Sequence, residues 1–212
     1  MGLHWVTFFH SMQISSVAIG MISLFTFPIM VVFMEAAIHR ALPHWRDIIL
    51  VILVLIGIFL MSANQLLEPN SNTLTGILVG TLSALFFACR NVIQKYYFAD
   101  TPSDNLMLHQ TIAIALMLLA FIDFTAINHL TTISWLNLFA LGLFTTAGAH
   151  TLLTMSYKKL PAKTVAMVSC SQPVLGALIA WVVIKEQPTI FVIAGGSIIL
   201  AVAIYESVSN KQ

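Results

Sequence analysis

The sequence predicts an all-α fold, a polytopic bundle of transmembrane helices. Its composition, the length of its apolar runs and the placing of its charges predict this together. Hydrophobic residues make up 59% of the 212 residues and charged residues only 8%; the mean hydropathy is +0.95. A soluble domain carries about 25% charged residues and roughly 45–50% apolar ones. A chain this poor in polar groups has too little polar surface to face water, and the solvent it fits is lipid.

The apolar runs fall at 17–38, 48–63, 74–98, 106–126, 133–155, 164–184 and 189–205. None alternates with a two-residue period, so each reads as a helix and not as a barrel strand. That gives about seven full spans. An eighth run, 3–14, covers only about 18 Å at 1.5 Å per residue, against a hydrocarbon core near 30 Å. It reads as the second half of a helix whose first half is missing, and so as an N-terminal truncation. The breaks carry turn chemistry: Leu42-Pro43-His44, Glu68-Pro69-Asn70-Ser71-Asn72, Asp100-Thr101-Pro102-Ser103-Asp104, Leu160-Pro161 and Gln187-Pro188. No basic segment, short apolar run and small-residue cleavage site open the chain, so no cleavable signal peptide is expected.

Numbering the loops alternately sorts the charges. One set holds Arg40, Arg46, Lys95, Lys158, Lys159, Lys163 and Lys211; the other holds only Lys185. The positive-inside rule then places the C-terminus in the cytoplasm, with the chain multi-pass in the plasma membrane of a bacterial cell, its inner membrane. A net charge of +1 with no basic, aromatic-interleaved patch excludes nucleic acid as a partner. Cys89 and Cys170 lie inside apolar runs and read as small buried hydrophobes. No Ser/His/Asp grouping, His-x-x-x-His pair, GxGxxG or P-loop occurs, so the chain reads as neither an enzyme nor an ATP-driven pump, with no cofactor and no metal.

Two stretches read alike, 16–62 and 163–204. Val17-Ala18-Ile19-Gly20 leading to Pro28 parallels Thr164-Val165-Ala166-Met167 leading to Pro173, and each is followed by a break and a further span. The loop charges orient the copies oppositely, and an inverted repeat is a signature of secondary transporters. The two parts are expected at 1–63 (a partial helix and two spans) and 74–206 (five spans).

Trp135, Leu138, Leu141-Gly142, Ala147-Gly148-Ala149-His150, Leu160-Pro161-Ala162, Pro173-Val174, Glu186 and Gly195-Gly196 resemble the second half of the EamA-type drug/metabolite transporter superfamily. Gly76 through Ala88-Cys89-Arg90-Asn91 resembles its sixth helix. The resemblance implies a fold of ten helices in two inverted five-helix halves. Against that pattern the first two helices and part of the third are absent, and Ala41 stands where the repeat would match Glu186.

An ionisable residue at membrane depth costs about 2.5–3.5 kcal/mol on insertion scales, so each one is a functional candidate. Arg90 reads either as an anion contact or as an arginine reaching headgroups. Glu35 reads as a proton or cation site, or as an interfacial carboxylate beside His39 and Arg40. His150 reads as a proton-exchanging or solute-bonding group, or as a packed histidine; His10 is a weaker case of the same. Gln172, with Ser169 and Ser171 near it, presents an amide beside Pro173. Pro28 and Pro173 each break a helix at mid-membrane and serve as hinges or kinks. Trp135, Tyr157, Trp181 and Tyr205 read as aromatic-belt anchors, and Gly142 and Gly195-Gly196 as close-packing sites.

The expected function is a secondary transporter that moves a small organic metabolite or drug-like solute, by export, through alternating access. Its partners would be the lipid bilayer, the solute, a proton or counter-solute, and a second copy in a homodimer. The alternative from another class is a non-transporting membrane component that needs a partner or missing N-terminal helices.

Overall fold

The computed structural model describes residues 1–63, 72–119, 122, 130–185 and 187–209, and their secondary structure is helical throughout. In chain order the helices are α1 (Gly2–Ile14), α2 (Val17–Leu24), α3 (Phe27–Ile38), α4 (Trp45–Met61), α5 (Thr73–Tyr97) and α6 (Ser103–Leu119). They continue as α7 (Thr132–Ala140), a π-helical stretch Leu141–Ala149, α8 (His150–Lys159), α9 (Ala162–Ser169), α10 (Gln172–Ile184) and α11 (Ile190–Ser209). Five helical segments among the described residues are long and apolar enough to cross a membrane: Val17–Ile38, Thr73–Tyr97, Thr132–Lys159, Ala162–Val183 and Ile190–Ser209. α4 and α6, at 17 residues each, reach about 25 Å, a little short of the hydrocarbon core. The turn residues Glu68-Pro69-Asn70-Ser71, positions 120, 121 and 123–126 at the end of the fourth run, and Glu186 and Lys211 lie outside the described residues.

Two of the spans are broken in the same way. Thr26, between α2 and α3, has φ −75° and ψ −11°, and its hydroxyl donates to the Ser23 carbonyl at 2.7 Å. Ser171, between α9 and α10, has φ −73° and ψ −11°, and its hydroxyl donates to Val168 at 2.7 Å. A proline follows each break near the start of the new helix, Pro28 and Pro173. Having no N–H, each removes the helical bond to the carbonyl four residues back, that of Leu24 or Ser169. After the breaks, Arg40 (φ 51°) and Lys185 (φ 60°) take the left-handed conformation that closes a helix. A constant step of 145 residues relates the starts of α2 and α9, the breaks at Thr26 and Ser171, the left-handed Arg40 and Lys185, and the starts of α4 and α11.

α5 is the helix on which α1, α2 and α3 pack. Its buried face carries Gly76, Gly80, Ser83, Ala84 and Ala88, a stripe of small residues that lets other backbones come close. Hydrogen bonds cross that contact. The His4 ring and the Ser83 hydroxyl meet at 2.7 Å, and the Ser11 hydroxyl donates to the Gly76 carbonyl at 2.7 Å. Pairing residue 4 with 83 and 11 with 76 makes α1 and α5 antiparallel. α4 and α11 form the other close pair. Arg46 meets Glu206 while Gly57 meets Gly195 and Ile199, so these two also run antiparallel. A side chain on Gly195 would run into the Gly57 carbonyl oxygen and the Met61 backbone. The core between the pairs is Phe25, Phe27, Val31, Val54, Met167 and Ile199.

Elsewhere Leu136, Phe139 and Phe144 on α7 and the π-helical stretch, with Val182 on α10, are exposed, as a lipid-facing surface requires. Trp135, Trp181 and Tyr205 are half-exposed, but Tyr157 is 1% exposed and lies in the core. Tyr157 is therefore not a belt anchor: it sits one turn from Thr154, on the face of α8 that turns inward. Gly142 is corrected as well, because none of the described residues packs within 4 Å of the place its Cβ would take. Cys170 is fully buried and Cys89 only half-buried; both are free thiols.

Replacing Gly195 by valine is expected to destabilise the protein by about 2 kcal/mol, the range for overpacking a tight contact. Thermal unfolding in detergent measures it. Gly142→Ala, with open space around it, serves as the control and should change little.

Candidate functional site

Polar residues gather in the apolar bundle at two places. The first surrounds Arg90, seven residues before the end of α5 and so about 10 Å inside it. The side chain is 7% exposed. Its Nε donates to Gln110 Oε1 at 3.2 Å, its Nη1 to Asn91 Oδ1 at 3.2 Å, and its Nη2 points at Met107 Sδ at 3.7 Å. Among the described residues no carboxylate comes within ion-pair distance of it. One turn along, Gln94 Nε2 donates to the Thr154 hydroxyl at 3.3 Å, which in turn donates to the His150 carbonyl at 2.8 Å. The Tyr157 hydroxyl and the Asn91 amide lie beside each other in the same buried layer, and among the described residues Gln94 Oε1 has no hydrogen-bond partner. Arg90, Gln94 and Gln110 line a cavity of about 510 Å³ together with Met1, whose α-amino group lies within electrostatic reach of Arg90, and with apolar side chains, among them Phe86, Phe98 and Met117. The half-buried His150 stacks obliquely on Trp5, ring centres 5.8 Å apart, and His4 and His150 both lie within electrostatic reach of Arg90.

The second gathering ties the helices together at the end of the bundle that carries the basic loops. The Glu35 carboxylate, at the end of α3, accepts from the Tyr96 hydroxyl at 2.7 Å and from the backbone N–H groups of Ala162 and Lys163 at 2.9 Å each. Those two N–H groups open α9, where Pro161 in the cap position has no side-chain acceptor to offer them. Glu35 supplies the missing cap from another helix, where a negative charge is also favoured by the helix dipole. Beside it Lys163 Nζ bonds Asp47 at 2.6 Å, and Glu206 accepts from Thr164 at 2.8 Å and from Arg46 at 3.3 Å. The Arg46 guanidinium also lies over the Tyr205 ring, 4.8 Å from its centre. α3 and α4 are thereby joined to α9 and α11. A cavity of about 550 Å³ runs along this tie, past Glu35, His39, Asp47, Lys95 and Lys163.

The sequence model of the EamA-like transporter family matches residues 74–205. The chain belongs to this family. No sequence among curated proteins matches it. A solved crystal structure of a protein is similar, with a TM-score of 0.79 and 16% identity, over 97% of this chain and 71% of the other. At that identity the likeness is one of fold, and the fold it shares is the all-helical bundle. The EamA-like family consists of drug/metabolite-type membrane transporters, not enzymes, and the exposed apolar helices agree with a multi-pass membrane protein.

In this EamA-like chain the residues singled out from sequence separate into three places. Arg90 and His150 belong to the first gathering. Glu35 belongs to the second, its carboxylate already engaged by three donors. Gln172 is exposed and, with Pro173, lines a third cavity of about 300 Å³ in the opposite half of the bundle, with Val17, Met21 and Ser62. Pro28 is fully buried in the core, and His10 is exposed. Ser169 and Ser171 bond carbonyls of their own helix. Sequence reasoning missed His4, Ser83, Gln110 and Thr154, and it missed the partners of Glu35. Isolated neutral polar residues in apolar runs were the available signal. Which of them share a helix face with Arg90 depends on how the helices are rotated.

Glu35→Ala leaves two buried N–H groups at the start of α9 without an acceptor. It is expected to cost about 2 kcal/mol, near the top of the range for a lost helix cap. Glu35→Gln, which keeps one acceptor oxygen, should cost less. Thermal unfolding of the two variants side by side checks the order.

Proposed function

We propose that this chain is a secondary transporter that moves a small organic metabolite or drug-like solute across the plasma membrane. Transport is by export, through alternating access of two inverted halves, residues 1–63 and 74–206. The observation that carries this reading is the constant 145-residue step between helix starts, breaks and left-handed caps, combined with the antiparallel crossing of α4 and α11, the helices that this step matches. Two copies of one design in opposite orientations have two nearly equivalent ways to pack, which is what exchange between two facing states needs.

One end of the bundle is held by Glu35, Asp47 and Glu206, while at the other a cavity separates α2 from α10. With the basic loops in the cytoplasm, the C-terminus is cytoplasmic and the held end is the cytoplasmic gate. Opening it breaks the bonds across Glu35 and Lys163 while the opposite cavity, beside Gln172 and the Pro173 break, closes. The breaks at Thr26 and Ser171 are where each long span flexes. Arg90 and His150 contact the solute between the gates, and a proton or counter-solute supplies the energy.

Two measurements test this. Proteoliposomes loaded with a metabolite mixture should release at least one component in a protein-dependent way, and Arg90→Ala should slow that release. Single reporter cysteines Ala36→Cys and Ser62→Cys, in a Cys89→Ser and Cys170→Ala background, probe the two cavities. Weakening the tie with Lys163→Met should speed labelling at 36 and slow it at 62. Rates that rise together at both positions would contradict alternating access.

A further inference from the structure

Three titratable groups form a hydrogen-bonded line at the tied end of the bundle. The His39 ring and the Tyr96 hydroxyl meet at 3.0 Å, and that hydroxyl donates to Glu35 Oε1 at 2.7 Å. Tyr96 has one hydrogen and spends it on Glu35, so its oxygen accepts from His39, and His39 carries a proton on Nε2. The two rings meet edge to face, centres 5.5 Å apart. His39 is exposed, whereas Glu35 is 6% exposed. The line runs from the loop after α3 to a buried carboxylate.

That carboxylate is also the cap of α9, and one of its oxygens holds two of the three bonds. Oε1 accepts from Tyr96 and from the Ala162 N–H, and Oε2 accepts from the Lys163 N–H. A proton on Oε1 makes that oxygen a donor and weakens it as an acceptor for Ala162. It also removes the negative charge that the start of a helix favours. Protonation therefore loosens the tie between α3 and α9. A metal cation does not fit the same place, because all three partners aim N–H or O–H hydrogens at the oxygens it needs.

We infer that Glu35 is a proton-binding site that releases the cytoplasmic gate, loaded from the cytoplasm along His39 and Tyr96. The inference rests on the transport reading above, which makes this end a gate. In the transfer, protonated His39 gives its Nε2 proton to the Tyr96 oxygen while the Tyr96 hydrogen passes to Glu35 Oε1. His39 ends neutral, Tyr96 is again a phenol and Glu35 is a neutral acid. The closed gate is stabilised by the ionised carboxylate, so that stabilisation is lost as the pH falls. Other charged groups face the same place: Lys95 on α5, Lys159 at the end of α8, Lys163 on α9 with Asp47 on α4, and His44 before α4. Arg40 follows His39, and Glu206 on α11 reaches α9 through Thr164. The 145-residue step carries Glu35 onto Ala180 and His39 onto Ile184. A proton thus acts at one end of the bundle and finds no such group at the matched positions of the other.

The test uses the reporter cysteines at 36 and 62 in purified protein in nanodiscs. The ratio of labelling at 36 to labelling at 62 should rise at least about threefold between about pH 8 and pH 4.5, across the carboxylate range. Taking the ratio cancels the reagent's own pH dependence. Glu35→Gln is neutral at every pH and should hold the ratio near its low-pH value throughout. Infrared difference spectra between the two pH values should contain a carboxylic acid C=O component that Glu35→Gln lacks. His39→Gln keeps an N–H donor for Tyr96 but carries no proton. It should leave the final ratio unchanged and slow its onset after a jump in pH. A ratio in the parent that does not change with pH would overturn the site with no variant needed, and so would a pH-dependent ratio in folded Glu35→Gln. An onset as fast in His39→Gln as in the parent would overturn the route. Solute release that persists with a flat ratio leaves the transport reading standing and removes this site alone. A pH-dependent ratio in folded protein that moves no solute removes the transport reading and keeps the proton site.

Discussion

Hydrocarbon offers a backbone N–H or C=O no partner except another part of the protein, and the rest of this structure follows from that constraint. It makes the described chain helical from end to end. It also turns every interruption of a helix into a place where polar groups must be satisfied some other way. At the two proline breaks the hydroxyls of Thr26 and Ser171 fold back onto their own helices. At the start of α9, which has a proline in its cap position, the acceptor comes from a different helix as Glu35. Between α1 and α5, side chains bond across the contact because small residues bring the helices within reach. Polar chemistry in this bundle therefore marks where helices are broken or where they meet.

The same constraint sorts the arginines. Arg46 lies at the rim, held by Glu206 and covered by Tyr205, and a partner of opposite charge makes its position unremarkable. Arg90 is more deeply placed, and among the described residues it is hydrogen-bonded by two amide oxygens and a sulfur and paired with no carboxylate. A buried ion pair offsets much of its own desolvation; a buried single charge does not. One charge is paired at the rim, and the other is held by neutral groups.

How much of this was legible in the sequence depends on the range of the interaction. The helices, their approximate ends and the matched Pro28 and Pro173 are local or periodic, and the apolar runs place them to within a few residues. The 133–155 run stops short only because Lys158 and Lys159 continue the helix as a basic last turn. Rotation about a helix axis is another matter. When a helix is apolar on every side, as α6 and α10 nearly are, no hydrophobic stripe records which face turns inward. That is why Gln110, on α6, gives no sign of its bond to Arg90; Tyr157, on α8, reads as an interfacial anchor from its place beside Lys158 and Lys159, and lies in the core. Glu35 was legible as a carboxylate at membrane depth. Its partners lie 61, 127 and 128 residues away in sequence, and two of them are backbone N–H groups common to every residue type.

The 145-residue step also shows how the two ends of the bundle differ. The 145-residue step that carries Val17 onto Ala162 carries Ser16 onto Pro161 and Glu35 onto Ala180. In the first stretch, α2 begins with its own cap, the Ser16 hydroxyl accepting from Ile19 N–H at 3.2 Å. In the stretch 145 residues on, proline removes that option and α9 takes its acceptor from α3. The borrowed cap binds α3 to α9 at one end. At the other end the matched position is an alanine, α2 needs nothing from α10, and a cavity lies between them. Two point differences between stretches related by this step, serine against proline and glutamate against alanine, go with a tie at one end and a cavity at the other.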